Sequence, residues 1–163
     1  MSIAIRDATP DDAEMVCRIY NPHILNTIVT FEELPVTAAD ISTRIAAVTA
    51  KFPWLVAVQD GTVAGYAYAA AFHERIGYRH TVVTTVYVDE SAHGKGIGTA
   101  LYRDLLDRLR AQSIHAAIGI IALPNPASIA LHEKCGFRKA AHFDQVGFKF
   151  GRWIDVGYWQ IVL

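Results

Sequence analysis

Apolar and polar residues alternate along this chain with two different periods. Runs with a period near two, rich in Val, Ile, Thr and Tyr, predict strands, whereas apolar residues at helical spacing predict amphipathic helices. Strands are expected at Ser2–Asp7, Trp54–Gln59, Thr62–Phe72, 81–89, 115–121, 138–149 and 152–162, and helices at Asp11–Tyr20, Thr37–Ala50, 96–112 and 126–135. A strand meander followed by crossover helices indicates a mixed sheet in an α+β domain.

Local signals support these boundaries. Thr37 is placed to cap the second helix, and Asp60-Gly61 is a strong hairpin turn between two strands. Asn125 is a good N-cap with Pro126 at the first helical position, and Gly136 is placed to end that helix. Each boundary therefore has a local physical cause.

The segment His93-Gly94-Lys95-Gly96-Ile97-Gly98 lies between an apolar, β-branched run and an amphipathic helix. A glycine loop that opens a helix exposes main-chain N–H groups beside the positive end of the helix dipole, which makes a site for phosphate. Three alternating glycines and a lysine are more than a tight turn requires. The segment therefore predicts a phosphate-binding loop.

Two nucleotide motifs fit this loop poorly. The Walker pattern requires Lys followed by Ser or Thr, but Lys95 is followed by Gly96. The dinucleotide pattern has Thr99 where its third glycine or alanine belongs, and no acidic residue occurs in the region 114–122. Neither a mononucleotide nor a dinucleotide is favoured.

The loop resembles the pyrophosphate loop of the GNAT superfamily of acyl-CoA-dependent N-acetyltransferases. That family has Arg/Gln-x-x-Gly-x-Gly/Ala at a strand-to-helix junction. Gly96 and Gly98 fit the pattern, and His93 stands in the Arg/Gln place. This departure leaves the main-chain amides intact and removes one constant positive charge, so we expect it to weaken cofactor binding without abolishing it.

A second match lies in the residues from Asn125 to Phe137, which resemble the family segment Asn-x-x-(Ala/Ser)-x-x-Leu-Tyr-x-x-x-Gly-Phe. His132 occupies the usual Tyr position. Together with the closing segment 147–155, this histidine makes the chain resemble the phosphinothricin and methionine sulfoximine N-acetyltransferases. Further matches occur at 19–21, 53–57 and 81–88, so the resemblance covers nearly the whole chain.

The resemblance implies a mixed, mostly antiparallel central sheet flanked by helices, with a splayed strand pair that holds acetyl-CoA as co-substrate. It implies contacts to this molecule from the strand, the glycine loop and the following helix. The predicted residues are Val86, Tyr87, Val88, His93, Gly94, Lys95, Gly96, Ile97, Gly98, Thr99, Asn125 and Ser128. No metal is expected.

Attack by an amine on a thioester requires a proton acceptor, and the thiolate leaving group benefits from a proton donor. His132 is the predicted catalytic residue, because an imidazole titrates near neutral pH and can serve either purpose. A histidine that merely packs on a helix face beside Phe137 is the structural alternative.

The subfamily strand has the pattern Thr-x-Glu-x-Ser/Thr-Val-Tyr-Val, and its Glu is the usual general base, but this chain has Val83 there. Three explanations stay open. Another group relays the proton through water, with His80, His73 and Glu32 as candidates. The substrate amine is already neutral, and the enzyme contributes mainly positioning. Or the protein binds acetyl-CoA and is slow or inactive.

Substrate contacts are expected from the region before the strand, from the strand itself and from a loop that caps the cleft. The candidates are Phe31, His73, Glu74, Arg75, Tyr78, Val83, Thr84 and Thr85. Arg75 is suited to pair with a carboxylate or phosphinate. Lys149, Arg152 and Trp153 lie in a terminal hairpin that in relatives contributes to the dimer and to the site; a basic surface pair is the alternative there.

Composition restricts the partners. At 163 residues the chain has the length of one domain, residues 1–163, and its net charge of −1 shows no electrostatic footprint for nucleic acid. No signal peptide or long apolar run is present, so no membrane association and a cytoplasmic location are expected.

Cys17 and Cys135 fall in predicted helices as small buried thiols. A hydrophobic fraction of 52% suggests that a partner subunit buries some apolar surface, and the resemblance implies a homodimer.

The sequence thus predicts an acetyl-CoA-dependent N-acetyltransferase that acts on the amine of a small amino-acid-like molecule, with a detoxification role implied by the resemblance. Two alternatives stay open. One is a non-catalytic acetyl-CoA-binding module, because Val83 replaces the carboxylate. The other is acetylation of protein lysines or N-termini.

Overall fold

The computed structural model describes residues 2–163, in which seven strands form one sheet. The elements in chain order are β1 Ile3–Asp7, α1 Ala13–Asn26, α2 Ala38–Thr49, β2 Trp54–Gln59, β3 Thr62–Ala71, β4 Thr81–Val88, α3 Ile97–Ala111, β5 Ala116–Ala122, α4 Pro126–Lys134, β6 Arg138–Lys149 and β7 Arg152–Val162. The strand order is β1-β2-β3-β4-β5-β7-β6, and only the β4–β5 pair is parallel. The predicted α+β fold with a mixed, mostly antiparallel sheet is confirmed.

The predicted caps are present. Thr37 accepts a hydrogen bond from the main-chain N–H of Asp40, whose carboxylate accepts one in return from the main chain of Thr37. Asp60 and Gly61 have φ values of 51° and 78°, as a hairpin turn of this length requires. Asn125 accepts a hydrogen bond from the N–H of Ser128. These elements begin and end where local chemistry places them.

Two helical boundaries differ from the prediction. α1 runs to Asn26 through Pro22, because the buried side chain of Ile24 continues its apolar stripe and tertiary packing outweighs the hydrogen bond that proline removes. α4 ends at Lys134, so Cys135 lies at its C-cap and is only partly buried, whereas Cys17 is buried within α1.

Alternation along the strands divides the core between the two faces of the sheet. On β2, Leu55 and Ala57 pack with α3, while Trp54 and Val56 pack with α1 and α2. α3 is fixed by a row of side chains that are at most 3% exposed: Ile97, Leu101, Tyr102, Leu105, Leu106 and Leu109. Within residues 2–163, no helix is both long and apolar enough to cross a membrane.

The strands β4 and β5 pair only over their first halves. Their register runs from Thr81 opposite Ala116 to Thr84 opposite Gly119, and no pairing continues beyond it in the described chain. The remainder of β5 stays bonded to β7 on its other side. The two strands therefore diverge and leave an opening at the carboxyl end of β4, which is the splayed pair predicted from the sequence.

Candidate active site

The diverging strands open into a cleft of about 690 Å³. Its walls are the end of α1 with the loop that follows, the second half of β4, the glycine loop with the first turn of α3, the end of β5, and α4. Thr84 and Thr85 point to opposite faces of β4, and both line the cleft. The cleft therefore passes between the strands and is reached from both faces of the sheet.

The glycine loop forms one end of this cleft. Gly94 and Gly96 have φ values of +76° and +80°, and a Cβ atom at either position would meet nothing within 4 Å. Glycine is thus required by the backbone conformation, and the space in front of the loop is open. The first-turn amides of α3 have no helical partner and carry the positive end of the helix dipole, so this end suits a phosphate.

Most of the predicted loop residues line the cleft. Gly94, Gly96, Ile97, Gly98 and Thr99 do so, whereas Lys95 is exposed and lies outside the lining. The structure therefore does not place Lys95 among the cleft residues, unlike the glycines on either side of it.

One edge of β4 faces the cleft with unpaired main-chain groups. Val86, Tyr87 and Val88 are bonded to β3 on one side and have no β5 partner on the other within residues 2–163. Such an edge accepts an extended molecule with amide groups as an added strand. The carbonyl of Val88 is already engaged, since it accepts a 3.0 Å hydrogen bond from Nε2 of His93.

α4 supplies the opposite wall. Asn125 and Ser128, at the N-terminal turn of α4, both line the cleft. The side-chain oxygen of Asn125 is occupied by the N–H of Ser128 at 3.1 Å, which leaves the amide NH₂ of Asn125 as a donor to a bound molecule.

His132 lies deeper in the same wall and is only 3% exposed. Its Nδ1 is 2.7 Å from the carbonyl oxygen of Ser128, and its Nε2 is 2.9 Å from the hydroxyl of Tyr102. Because a carbonyl oxygen can only accept, Nδ1 carries the proton, and Nε2 accepts from Tyr102. Burial lowers the pKa of His132, so the ring is neutral at pH 7.

This tautomer restricts the chemistry of the pair. The proton shared between the two rings belongs to Tyr102, and the neutral His132 has no proton on Nε2 to give to a thiolate. Both rings line the cleft, and His132 also packs edge-on against Phe137. The arrangement makes Tyr102 the donor and His132 the acceptor that orients it.

A model of the acetyltransferase (GNAT) domain family matches residues 5–157, which is most of the chain. The chain belongs to the GNAT acetyltransferase family.

Relatives and solved structures within the family cover nearly the whole chain. It is 38% identical to a phosphinothricin N-acetyltransferase of Streptomyces viridochromogenes, over 97% of this chain and 86% of that one. It is 39% identical to an L-methionine sulfoximine/L-methionine sulfone acetyltransferase of Pseudomonas paraeruginosa, over 100% and 96%. The crystal structure of a phosphinothricin acetyltransferase from Sinorhizobium meliloti in complex with AcCoA matches with a TM-score of 0.95 at 38% identity, over 100% and 89%.

In this GNAT chain the three strand residues predicted to touch substrate have different positions. Thr84 is 3% exposed on the α3 side, and its hydroxyl has no hydrogen-bond partner within residues 2–163. Thr85 points to the opposite face. Val83 is half-buried between Ala70 and Ile118 and does not line the cleft.

The three proposed proton relays lie outside the cleft lining. Glu32 is bound by both guanidinium nitrogens of Arg44, at 3.0 and 2.6 Å, and by the hydroxyl of Tyr20. The Arg44 bond is the main cause that lowers the pKa of Glu32, which makes it a weak base. His73 and His80 are exposed in the connection between β3 and β4.

The remaining predicted substrate residues are also away from the cleft lining. His73, Glu74, Arg75 and Tyr78 are exposed in the connection before β4, whereas the cleft lies along the second half of that strand. Phe31 packs its ring over Gly147 of β6, where a Cβ would come within 2.2 Å of the ring.

The terminal hairpin holds one buried charge. Lys149 is 1% exposed and donates to the main-chain carbonyls of Thr27 and Thr30, at 2.8 and 2.7 Å. Burial lowers the pKa of this ammonium. Lys149 is therefore not a surface residue, whereas Arg152 and Trp153 are exposed.

The same hairpin carries three side chains of metal-ligand type outside the cleft lining: His142, Asp144 and Asp155. Their ligand atoms lie within 4.8 Å of one another. Nε2 of His142 is 2.9 Å from Asp155, and Nδ1 is 3.2 Å from the ammonium of Lys139. These contacts form an exposed polar network.

Among the cleft residues that the sequence did not predict, three carry polar groups that matter for the chemistry. His23 and Thr27 come from the end of α1 and its loop, and Tyr102 comes from the first turns of α3. None belongs to a recognisable motif. Only the packing of α1 and α3 on the two faces of β4 brings them to the opening.

Proposed function

We propose that this chain transfers the acetyl group of acetyl-CoA to the amine of a small amino-acid-like substrate of the phosphinothricin or methionine sulfoximine type. The cleft between β4 and β5, with a glycine loop at one end and an unpaired strand edge along its side, carries this proposal. The names of the relatives support the substrate class.

The described residues fit acetyl-CoA. The open space before Gly94 and Gly96 and the free amides of α3 suit the pyrophosphate. The unpaired edge at Val86–Val88 and the free amide NH₂ of Asn125 suit the pantetheine arm, whose amide groups bond like those of a strand. Acetyl-CoA supplies the activated acyl group, and the protein supplies binding and orientation.

The deep wall of the cleft supports the acyl-transfer step. Thr84 has a buried hydroxyl without a partner, and it lines the cleft together with Tyr102 and His132. An unsatisfied buried hydroxyl is costly unless a ligand completes it. We assign this wall to the thioester, where the hydroxyl of Thr84 is placed to donate to the charge that develops on its oxygen, while the hydroxyl proton of Tyr102 is engaged by His132.

We further propose that the whole chain is one N-acetyltransferase domain. It works in the cytoplasm as a homodimer, and its role is detoxification. The edge strand β6 and its hairpin support the dimer, because five apolar side chains there are between 45% and 64% exposed. They are Phe143, Val146, Phe148, Phe150 and Trp153.

The test is amine-dependent release of free CoA thiol from acetyl-CoA. Phosphinothricin, methionine sulfoximine, methionine sulfone, simple amines and short peptides serve as acceptors, and acetyl-CoA binding is measured by calorimetry. Turnover on the amino-acid analogues supports the proposal. Tight acetyl-CoA binding without turnover would make the chain a binding module, and faster turnover of peptides would make it a peptide acetyltransferase.

A further inference from the structure

The side chain of His23 lines the cleft on the face of β4 that carries Thr85 and Tyr87. It projects from the last turn of α1 into the cleft lining, which it shares with Thr27 and Thr85, and its ring centroid is 5.2 Å from that of Tyr87. This is the face of β4 opposite α3. Under the function proposed above, the glycine loop and α4 hold acetyl-CoA on the α3 side, which leaves the side of His23 for the amine.

The other titratable groups in the cleft lining are poor proton acceptors. They are Tyr87, His93, Tyr102, His132 and Lys134. Burial raises the pKa of both tyrosines, so their phenols stay protonated, and a lysine ammonium only donates. Nε2 of His132 already accepts from Tyr102. His93 is the exception, since its Nδ1 is free within the described chain, but the bond from its Nε2 to the carbonyl of Val88 holds it beside Gly94 at the phosphate end of the cleft.

The nitrogens of His23 are uncommitted. Neither has a hydrogen-bond partner within residues 2–163, although the side chain is partly buried. Burial is the main cause that lowers the pKa of His23 from 6.5, with the neighbouring His93 adding to the shift and Glu90 opposing it. The ring is therefore neutral at pH 7 and has a free lone pair.

We propose that His23 accepts the proton of the substrate amine, directly or through one water, in place of the carboxylate that Val83 lacks. This role rests on the acetyltransferase function proposed above. His23 takes one proton from the ammonium, and the neutral nitrogen forms the N–C bond to the thioester carbon. The C–S bond then breaks, the second amine proton ends on sulfur to give the free thiol, and His23 returns its proton to water.

The experiment compares wild type, His23→Gln, Val83→Glu and the double variant. His115→Gln is the matched control, because His115 is an exposed histidine immediately before β5. Rates are measured against pH with saturating acetyl-CoA. We expect wild-type kcat/KM to fall as the base is protonated, at a pH below the ordinary histidine pKa because burial lowers the pKa of His23. His23→Gln is expected to lower kcat by about 10²-fold and to remove this acid limb, with acetyl-CoA affinity unchanged.

The double variant tests the replacement itself. Val83 itself does not line the cleft, but it shares a face of β4 with Thr85, which does. The longer side chain of a glutamate at position 83 is expected to restore turnover to His23→Gln at least tenfold and to move the acid limb to lower pH. Far-ultraviolet circular dichroism and acetyl-CoA affinity establish that each variant is folded. A His23→Gln enzyme with wild-type rate, or with a reduced rate but the same acid limb, overturns the role of His23. Absence of turnover by wild type with every amine overturns the acetyltransferase proposal, and the role of His23 with it.

Discussion

The ammonium of Lys149 donates a 2.7 Å hydrogen bond to the main-chain carbonyl of Thr30. A second bond, to the carbonyl of Thr27, fixes the other end of the same loop, and Thr27 lines the cleft. One buried charge on β6 thus positions the loop that follows α1 at the cleft. The same loop is held from α2 by the Arg44–Glu32 ion pair.

Lys149→Met is expected to release this loop. Two carbonyls lose a charged donor, so we expect a loss of stability of about 1–3 kcal/mol and a several-fold higher KM for the amine. The acetyl-CoA affinity should change less than twofold, because the glycine loop is untouched. Steady-state kinetics and urea unfolding measure these effects, with exposed Lys51→Met as the control. An unchanged amine KM would show that the loop does not depend on Lys149.

His132→Ala is expected to lower turnover at least tenfold with little change in acetyl-CoA affinity. The imidazole of His132 accepts a hydrogen bond from the hydroxyl of Tyr102 and so orients that hydroxyl. Removal of the imidazole leaves the hydroxyl free to rotate. Tyr102→Phe should show a similar loss, and the double variant should be no slower than the slower single variant. Thiol-release kinetics measure all three, and an unchanged rate in His132→Ala would remove this histidine from the mechanism.

Gly119→Ala is expected to displace the His132 ring without changing either hydrogen-bonding residue. A Cβ on Gly119 would lie 2.3 Å from Nε2 of His132, far inside contact distance. We expect a loss of turnover like that of His132→Ala and a destabilisation of about 1–3 kcal/mol. Gly77→Ala is the control, since nothing lies within 4 Å of its Cβ position. Normal turnover in Gly119→Ala would mean that the position of the ring is not critical.

Gly96→Ala separates backbone strain from cofactor binding. Gly96 and Gly61 have φ values of +80° and +78° with open space at both Cβ positions, so alanine costs about 1–2 kcal/mol at either. Only Gly96 lines the cleft. We therefore expect Gly96→Ala to bind acetyl-CoA at least fivefold more weakly than wild type, and the control Gly61→Ala to bind it normally. Calorimetric titration checks this difference. Equal affinities in the two variants would argue against phosphate binding at this loop.

Asp12 makes the stability depend on pH. Both its oxygens accept from the guanidinium of Arg6 at 2.8 Å, and this contact is the main cause that lowers the pKa of Asp12. A lowered folded-state pKa stabilises the protein above the unfolded value of about 3.9, and this stability is lost as pH falls through the folded value. Asp12→Asn should therefore cost about 1–2 kcal/mol at pH 7, and this cost should shrink as the pH falls below about 3.9, as measured by urea unfolding at pH 7 and pH 3. An equal cost at both pH values would contradict this.

The elements of the fold were largely predictable because their signals are local. The capping box of Thr37, the Asp60-Gly61 turn and the Asn125–Pro126 helix start each depend on a few neighbouring residues. The end of α1 was not predictable in this way. Its continuation through Pro22 depends on where Ile24 packs, and that is a contact between distant parts of the chain.

The sequence by itself determined the strand–glycine loop–helix unit, the order of the elements and the family. Each of these depends on short motifs and on local periodicity. Only the tertiary structure decided which side chains share the cleft. It placed His23 and Tyr102 on opposite faces of β4, buried Lys149 against a loop more than a hundred residues away in the chain, and left Arg75 exposed outside the cleft lining. Side-chain neighbours across a sheet are set by strand order and by divergence of β4 from β5, which no single segment encodes.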